Sequence, residues 1–306
     1  MVDKVEKIWM DGEYVDWDDA KVHVLTHSLH YGLGAFEGIR AYQRADKTTT
    51  LFRLDEHMGR LLDSCKLCHM KPRYTKDDLC KVTVELLQKN RMEEAYVRPM
   101  IYVGDGAMGI YVPNNPIRAF IVAYRWGAYL GHDALANGIR VKISSWARHH
   151  ISVSLAKAKT MGQYTNSVLA KAEVKMAGYD EAVLLDTQGY VSEGSGENIF
   201  IVKKGRLTTP PLSSSILEGI TRDTVLTLAR EEGILVFEDR ITRDELYLAD
   251  EVFFTGTAAE LTPVREVDDR SIGDGKVGPI TKQLQSRYFD VVRGSDTRHP
   301  EWHTRV

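Results

Sequence analysis

Four lysines crowd one short stretch, SLAKAKTMGQYTNSVLAKAEVK at residues 154–175: Lys157, Lys159, Lys171 and Lys175. A lysine amine becomes a reagent when it is partly desolvated, because its neutral, nucleophilic form is then within reach. The pattern predicts a helix over 163–177 with Val168, Leu169, Ala172 and Met176 on its apolar face. Lys171 and Lys175 stand four residues apart on that helix. Two like charges there are tolerable when solvated, so both read as outward-pointing. Lys157 and Lys159 precede the helix among small residues, where a side chain can be held against a ligand. Composition alone does not choose between them.

Other chemistry-bearing patterns fail on context. GDGAMG (Gly104, Gly106, Gly109) has dinucleotide-turn spacing, but IYVPNNP follows where a helix should begin. No acid stands where a ribose would need it, so the segment reads as a loop. Cys65-Lys-Leu-Cys68-His69 has the form of a haem attachment site. No export signal accompanies it, and its cysteines continue a helical apolar stripe, where thiols behave as small hydrophobes. His23, His27, His30 and the His149-His150 pair lack HExxH spacing and an acidic cluster, so no metal is expected. Gly194-Ser195-Gly196 is not the G-x-S-x-G elbow of a serine hydrolase.

The elements that must position a reactive lysine come next. A chain of 306 residues is about twice an ordinary domain. With 43% hydrophobic and 27% charged residues it has the makings of a globular core. A net charge of −3 gives no footprint for nucleic acid or an anionic membrane. Three cysteines argue against a disulfide framework, and no apolar run is long enough to span a bilayer. MVDKVEKIWMDGEYVDW mixes charge signs without an apolar run, so no secretory signal is read there and a cytoplasmic location is expected.

Residues 5–15 read as a hairpin around Asp11-Gly12. Leu54, Met58, Leu61, Leu62 and Cys65 recur at helical spacing, as do Leu79, Val82, Leu86 and Leu87 in a second helix over 77–90. YVRPMIYV and AFIVAYRW read as strands. Small residues and glycines in 127–138 mark an interdomain connection. IRVKISSW, EAVLLDT, NIFIVKKGRL, ILVFED and EVFFTGT are later strands, with helices over 163–177, 220–232, 243–249 and 279–290. Thr242-Arg-Asp-Glu245 is a capping box, and Pro279 suits a first helical turn. The last dozen residues are polar and read as loosely held. The expectation is two α+β domains, 1–126 and 139–306.

Lys159 with Tyr164 five residues on, then GYVSEGSGENIF, LEGITRD and FFTGTAAELTPV, resembles the branched-chain amino acid aminotransferases. These are fold-type IV enzymes of pyridoxal 5′-phosphate. HYGLGAFEGIR, EHMGRL and YVRPMIYVGDGAMG extend the likeness over residues 8–290. The resemblance implies a smaller N-terminal α/β domain and a larger C-terminal, cofactor-binding domain with a β-barrel-like sheet. It implies transfer of an amino group between leucine, isoleucine or valine and 2-oxoglutarate, by a ping-pong route through a Schiff base. A D-amino acid or R-selective amine transaminase shares the fold, but HYGLGAFEGIR with YVRP favours the branched-chain branch.

By the same resemblance Lys159 is the catalytic amine and carries the cofactor. Glu193 keeps the pyridine nitrogen protonated, and Tyr164 hydrogen-bonds the ring hydroxyl. Arg60, Ile220, Thr221 and Thr257 hold the phosphate, with the N–H groups after Gly219 at a helix start. Tyr96 and the Thr257-Ala258 turn meet the substrate's α-carboxylate. Phe36, Gly38, Tyr129 and Tyr164 line an apolar pocket. Arg98 pairs with the distal carboxylate of glutamate, and Arg40 tunes that rim. Tyr31 and Ile110 look like contributions from a partner subunit, so a homo-oligomer is expected. Taken singly, each of these aromatics reads as core packing, Glu193 as a turn acid and Arg60 as a surface cation.

Overall fold

The computed structural model describes residues 2–127 and 130–306. The chain divides into two compact units. The first comprises Met1–Trp126, Ala158–Gln163 and Val291–Val306, and the second Gly127–Lys157 and Tyr164–Asp290. Both the reactive-lysine segment and the C-terminal tail thus return to the first unit.

In the first unit β1 (Lys7–Met10) and β2 (Glu13–Asp16) form the expected hairpin, with Asp11 and Gly12 at positive φ in its turn. The short α1 (His27–Tyr31) leads into β3 (Gly34–Phe36), β4 (Ile39–Gln43) and β5 (Thr49–Phe52). Next come α2 (Leu54–Leu67), α3 (Lys76–Lys89), β6 (Ala95–Val103) and β7 (Ile117–Tyr124). The helices follow from their sequence. The α2 helix buries Leu54, Met58, Leu61 and Cys65, and burial pushes the Cys65 thiol up to about 12, so it serves as a small hydrophobe. Thr75 and Asp78 close a capping box that starts α3.

Strand alternation sorts the first sheet's two faces. Ala35, Ile39, Val97 and Ile101 are buried with Met58, Leu61 and Leu86 in one core. The intervening residues are Phe36, Gly38 and Arg40 on one segment and Tyr96 and Arg98 on β6, whose partner in register is Arg40 opposite Tyr96.

The second unit runs α4 (His132–Asn137), β8 (Ile139–Ile143), α5 (Tyr164–Met176), β9 (Glu181–Leu185), β10 (Val191–Gly194), β11 (Asn198–Lys203) and β12 (Arg206–Thr209). It continues through α6 (Ile220–Glu231), β13 (Leu235–Glu238), α7 (Arg243–Tyr247), β14 (Glu251–Gly256), β15 (Glu260–Val267), β16 (Arg270–Ser271) and α8 (Pro279–Val292), of which the last two residues join the first unit. The main path of its sheet is β10-β9-β8-β15-β14-β11-β12-β13. Five strand steps of about 4.8 Å separate β10 from β11 in that order. Residues 195–197 join them, and so short a link reaches only about 14 Å. The sheet must therefore curl, which gives the expected barrel-like form. Val141, Val183, Ile199, Val252 and Phe254 fill its core.

Several local expectations are corrected. NIFIVKKGRL is not one strand but β11 and β12, because Lys204 and Gly205 both take positive φ and turn the chain. The inward face of α5 is Asn166, Ser167, Ala170 and Val174, whereas Val168, Leu169 and Met176 are exposed. The buried Arg148 guanidinium donates to Asn166 and Ser167, so a polar contact overrides the apolar stripe. Lys171 does not point out into solvent; it pairs with the fully buried Glu181. The C-terminal residues are tied down. Trp302 packs edge-on against Phe52, and β17 (His303–Arg305) pairs with β5 in the first sheet.

Candidate active site

In the first unit the Lys159 segment is clamped by its backbone. The Lys159 N–H donates to Ser64 Oγ (2.9 Å), and its carbonyl accepts from Phe36 N–H (3.0 Å). An antiparallel bridge between Ala35 and Thr160 continues the clamp. The half-buried Lys159 amine lies 5.1 Å from the centroid of the Phe36 ring. The Arg98 guanidinium sits 4.7 Å from the same centroid and donates to Tyr96 Oη (3.2 Å). Gly38 makes room for that hydroxyl, since any Cβ there would overlap it. Phe36, Gly38, Tyr96, Arg98 and the Lys159 amine are thus brought together, with Arg40 beside them in register.

Arg60 is reached through a partner the sequence reading missed. Its Nε and Nη2 grip Glu37, at 2.6 and 2.9 Å, and His57 Nδ1 lies 2.7 Å from the same carboxylate. Burial acts to raise the Glu37 carboxyl, but Arg60 and then His57 outweigh it and hold the group well below the usual carboxylate range. Burial likewise pushes the His57 imidazole down, against the pull of Glu37. Tyr31 and Ile110 are both exposed, and His27 links their segments by stacking on Tyr31 and meeting the Gly109 carbonyl at 2.8 Å. Tyr129 lies outside the described residues.

In the second unit Glu193 is a buried acid with three partners. Arg148 Nε lies 2.7 Å from one oxygen, while Leu217 N–H (3.0 Å) and Asn198 Nδ2 (3.5 Å) donate to the other. Arg148 and Asn198 carry no signal in the sequence, because their importance lies in distant partners. Arg148 connects Glu193 to the first turn of α5, which Tyr164 opens. Asn198 connects Glu193 to the start of α6 through Leu217 O (2.9 Å), and its Oδ1 occupies the space a Cβ at Gly219 would need. Lys157 donates to Ile216 O (2.9 Å), and burial pushes its amine down.

Gly219 caps α6 without a side-chain hydrogen bond, and the first-turn N–H groups lie at the positive end of the helix dipole. Thr221 is buried beside them. Thr257 and Ala258 form the turn from β14 to β15, with Gly256 opposite Glu260. Thr255, opposite Asn198 in register, has a buried Oγ1 with no hydrogen-bond partner among the described residues. A helix start without a side-chain cap, two hydroxyls and an arginine-anchored acid fits a phosphorylated pyridine. Among the described residues no cluster of three His, Cys, Asp or Glu suits a metal, and no helix is long and apolar enough to cross a membrane.

Residues 34–267 match the family model described as amino-transferase class IV. The chain belongs to the class IV aminotransferase family. It is 51% identical over 306 residues to a branched-chain-amino-acid aminotransferase of Pseudomonas aeruginosa, covering 100% of this chain and 99% of that relative. The crystal structure of the Escherichia coli branched-chain amino acid aminotransferase superposes with a TM-score of 0.96 at 46% identity, over 98% of this chain and 99% of that one. The branched-chain amino acid aminotransferase of Thermobaculum terrenum, in its PLP-bound holo form, superposes with a TM-score of 0.92 at 37% identity, over 99% of this chain and 98% of that one.

Proposed function

We propose that the chain is a branched-chain amino acid transaminase that works with pyridoxal 5′-phosphate. It moves the amino group between leucine, isoleucine or valine and 2-oxoglutarate, the donor leaving as a 2-oxo acid before the acceptor enters. The observation that carries this reading is the full-length identity to the Pseudomonas enzyme, whose name states the activity.

Bound pyridoxal phosphate supplies an electron sink for charge that develops at the substrate's α-carbon. The Lys159 amine, held by its backbone clamp, takes the α-carbon proton and delivers it to the acceptor atom. Glu193 holds a proton at the pyridine nitrogen, and its bond to Arg148 keeps the carboxyl aimed. Tyr164 donates to the ring hydroxyl. The phosphate is bound by the Ile220 and Thr221 N–H groups, the Thr221 and Thr257 hydroxyls and Arg60. Tyr96 and the Thr257-Ala258 turn bind the α-carboxylate. Phe36, Gly38 and Tyr129 with Tyr164 take the aliphatic chain, while Arg98, with Arg40 beside it, takes glutamate's second carboxylate.

Placing the Arg98 guanidinium 4.7 Å from the Phe36 centroid would suit one pocket to both substrates, because this weakly hydrated cation tolerates an aliphatic chain and still pairs with a carboxylate. Tyr31 and Ile110, both exposed, serve a partner subunit's site in a homo-oligomer that acts in the cytoplasm.

An amino-donor panel with 2-oxoglutarate, including both enantiomers of leucine and alanine, tests the specificity. Turnover of D-alanine without L-leucine would overturn it. Borohydride reduction followed by peptide mapping tests the lysine: a phosphopyridoxyl adduct on Lys157 in place of Lys159 would overturn the assignment.

A further inference from the structure

Three carboxyls are buried around the turn that follows Glu193, and among the described residues two of them pair with a cation. Glu193 has Arg148, 2.7 Å away. Glu181, fully buried on β9, has Lys171, which also donates to Asp180 O (2.8 Å). Its other oxygen accepts from Ser195 Oγ (2.6 Å) and Ala182 N–H (2.8 Å). Glu197 is 5% exposed, and its carboxyl accepts from the Gly196 N–H at 3.0 Å. Among the described residues it forms no ion pair. The charged groups facing it are Glu181, Glu193 and Lys171, whereas β14 offers Phe254 and Gly256 on that side.

The turn packs the Glu197 carboxyl against the residue after Glu193. Gly194 N–H donates to Glu197 O (2.6 Å), and a Cβ at Gly194 would lie 2.7 Å from Glu197 Oε2. A third negative charge here would repel Glu193 or draw Lys171 away from Glu181, and either shift would reach the turn that aims Glu193. We propose that Glu197 stays protonated at neutral pH and, as the uncharged member of this triplet, is a positioning residue that keeps Glu193 seated on Arg148. Burial, then the neighbouring Glu181, pushes the Glu197 carboxyl up to about 8, against the pull of Lys171. The proton on Glu197 stands on its own, whereas its consequence for the cofactor rests on the assignment of Glu193 above.

The test is an infrared and absorbance titration of the cofactor-loaded protein from about pH 6.5 to about pH 9.5. The wild type should show a protonated-carboxyl band that disappears around pH 8, with a step in cofactor absorbance at the same midpoint. Glu197→Gln should lack both. Glu181→Gln, which removes the neighbouring acid that pushes the Glu197 carboxyl up, should move the loss of the band to lower pH and decides the matter if the first variant does not fold. A band that persists unchanged in Glu197→Gln, or is absent from the wild type, overturns the proton assignment. An infrared step with no absorbance step overturns the link to Glu193.

Discussion

Glu37 lies beneath α2 in the first unit, and Glu197 sits in the turn between β10 and β11 of the second. Both are almost wholly shielded from solvent, yet Glu37 is held well below the usual carboxylate range while Glu197 rises to about 8. Burial raises both. The difference is partners: Glu37 shares Arg60 and His57, whereas Glu197 stands beside two other acids whose cations are engaged. Burial alone therefore does not set a carboxyl's charge. The balance of neighbouring cations and acids does.

The largest expected effect comes from breaking the satisfied cluster. Glu37→Ala removes the buried acid that Arg60 and His57 share, and loss of one partner of a buried pair costs about 3–5 kcal/mol. Urea unfolding measures it, and a loss under about 1 kcal/mol would mean the cluster is far more hydrated than its geometry says. The pH profile then sharpens the contrast, because the signs are opposite. Glu37 has a lowered folded pKa, so its stabilisation is present above its ordinary value of 4.5 and is lost as pH falls below that. Glu197 has a raised one, so its stabilisation is present below 4.5 and is lost as pH climbs towards about 8. Thermal midpoints across pH should lose the alkaline decline in Glu197→Gln and the acid decline in Glu37→Gln. Identical profiles for the two variants would erase the distinction.

How much of this was legible in the sequence depends on the range of the cause. The α2 and α3 stripes, the Asp11-Gly12 hairpin and the Thr242 capping box arise from neighbours within a few residues, and each appears as read. The face of α5 was not legible, because Arg148 reaches it from a different segment and makes Asn166 and Ser167 the better surface to bury. Lys171 misleads for the same reason, its partner Glu181 standing ten residues on, in the next strand. The polarity of the tail says nothing of the aromatic contacts that Trp302 makes with Phe52 and His299. Among the candidate site residues, Lys159, Glu193 and Arg60 take their roles from the family resemblance, since singly they read as one lysine of two, a turn acid and a surface cation. Glu37, Ser64, Arg148 and Asn198 act on those residues over long separations, and nothing in spacing announces them.

A smaller effect is expected at Gly38. Alanine there meets the Tyr96 hydroxyl, which must leave Arg98, and overpacking of this kind costs about 1–3 kcal/mol. Thermal unfolding reads the cost. The KM values for glutamate and leucine should both rise, because the displaced hydroxyl serves the α-carboxylate that the two substrates share. Unchanged values for both would detach Tyr96 from that carboxylate.

The smallest effects belong to two exposed acids that share one local motif, one in each unit. Thr75 and Thr242 each accept at Oγ1 from the N–H three residues on, while the acids Asp78 and Glu245 accept from the cap residues' own N–H groups. Thr75→Ala and Thr242→Ala should each cost about 1 kcal/mol in urea unfolding, since one orphan donor of each helix loses its acceptor. Because neither acid is shielded, solvent and salt answer for its charge, and the cost should change little between about pH 6 and about pH 9. That flatness is the contrast sought with Glu197: three side chains of like chemistry, of which only the enclosed one should make stability sensitive to alkali. A cap variant that reproduced the alkaline change of Glu197→Gln would place the titrating group at the helix starts, away from the turn behind Glu193.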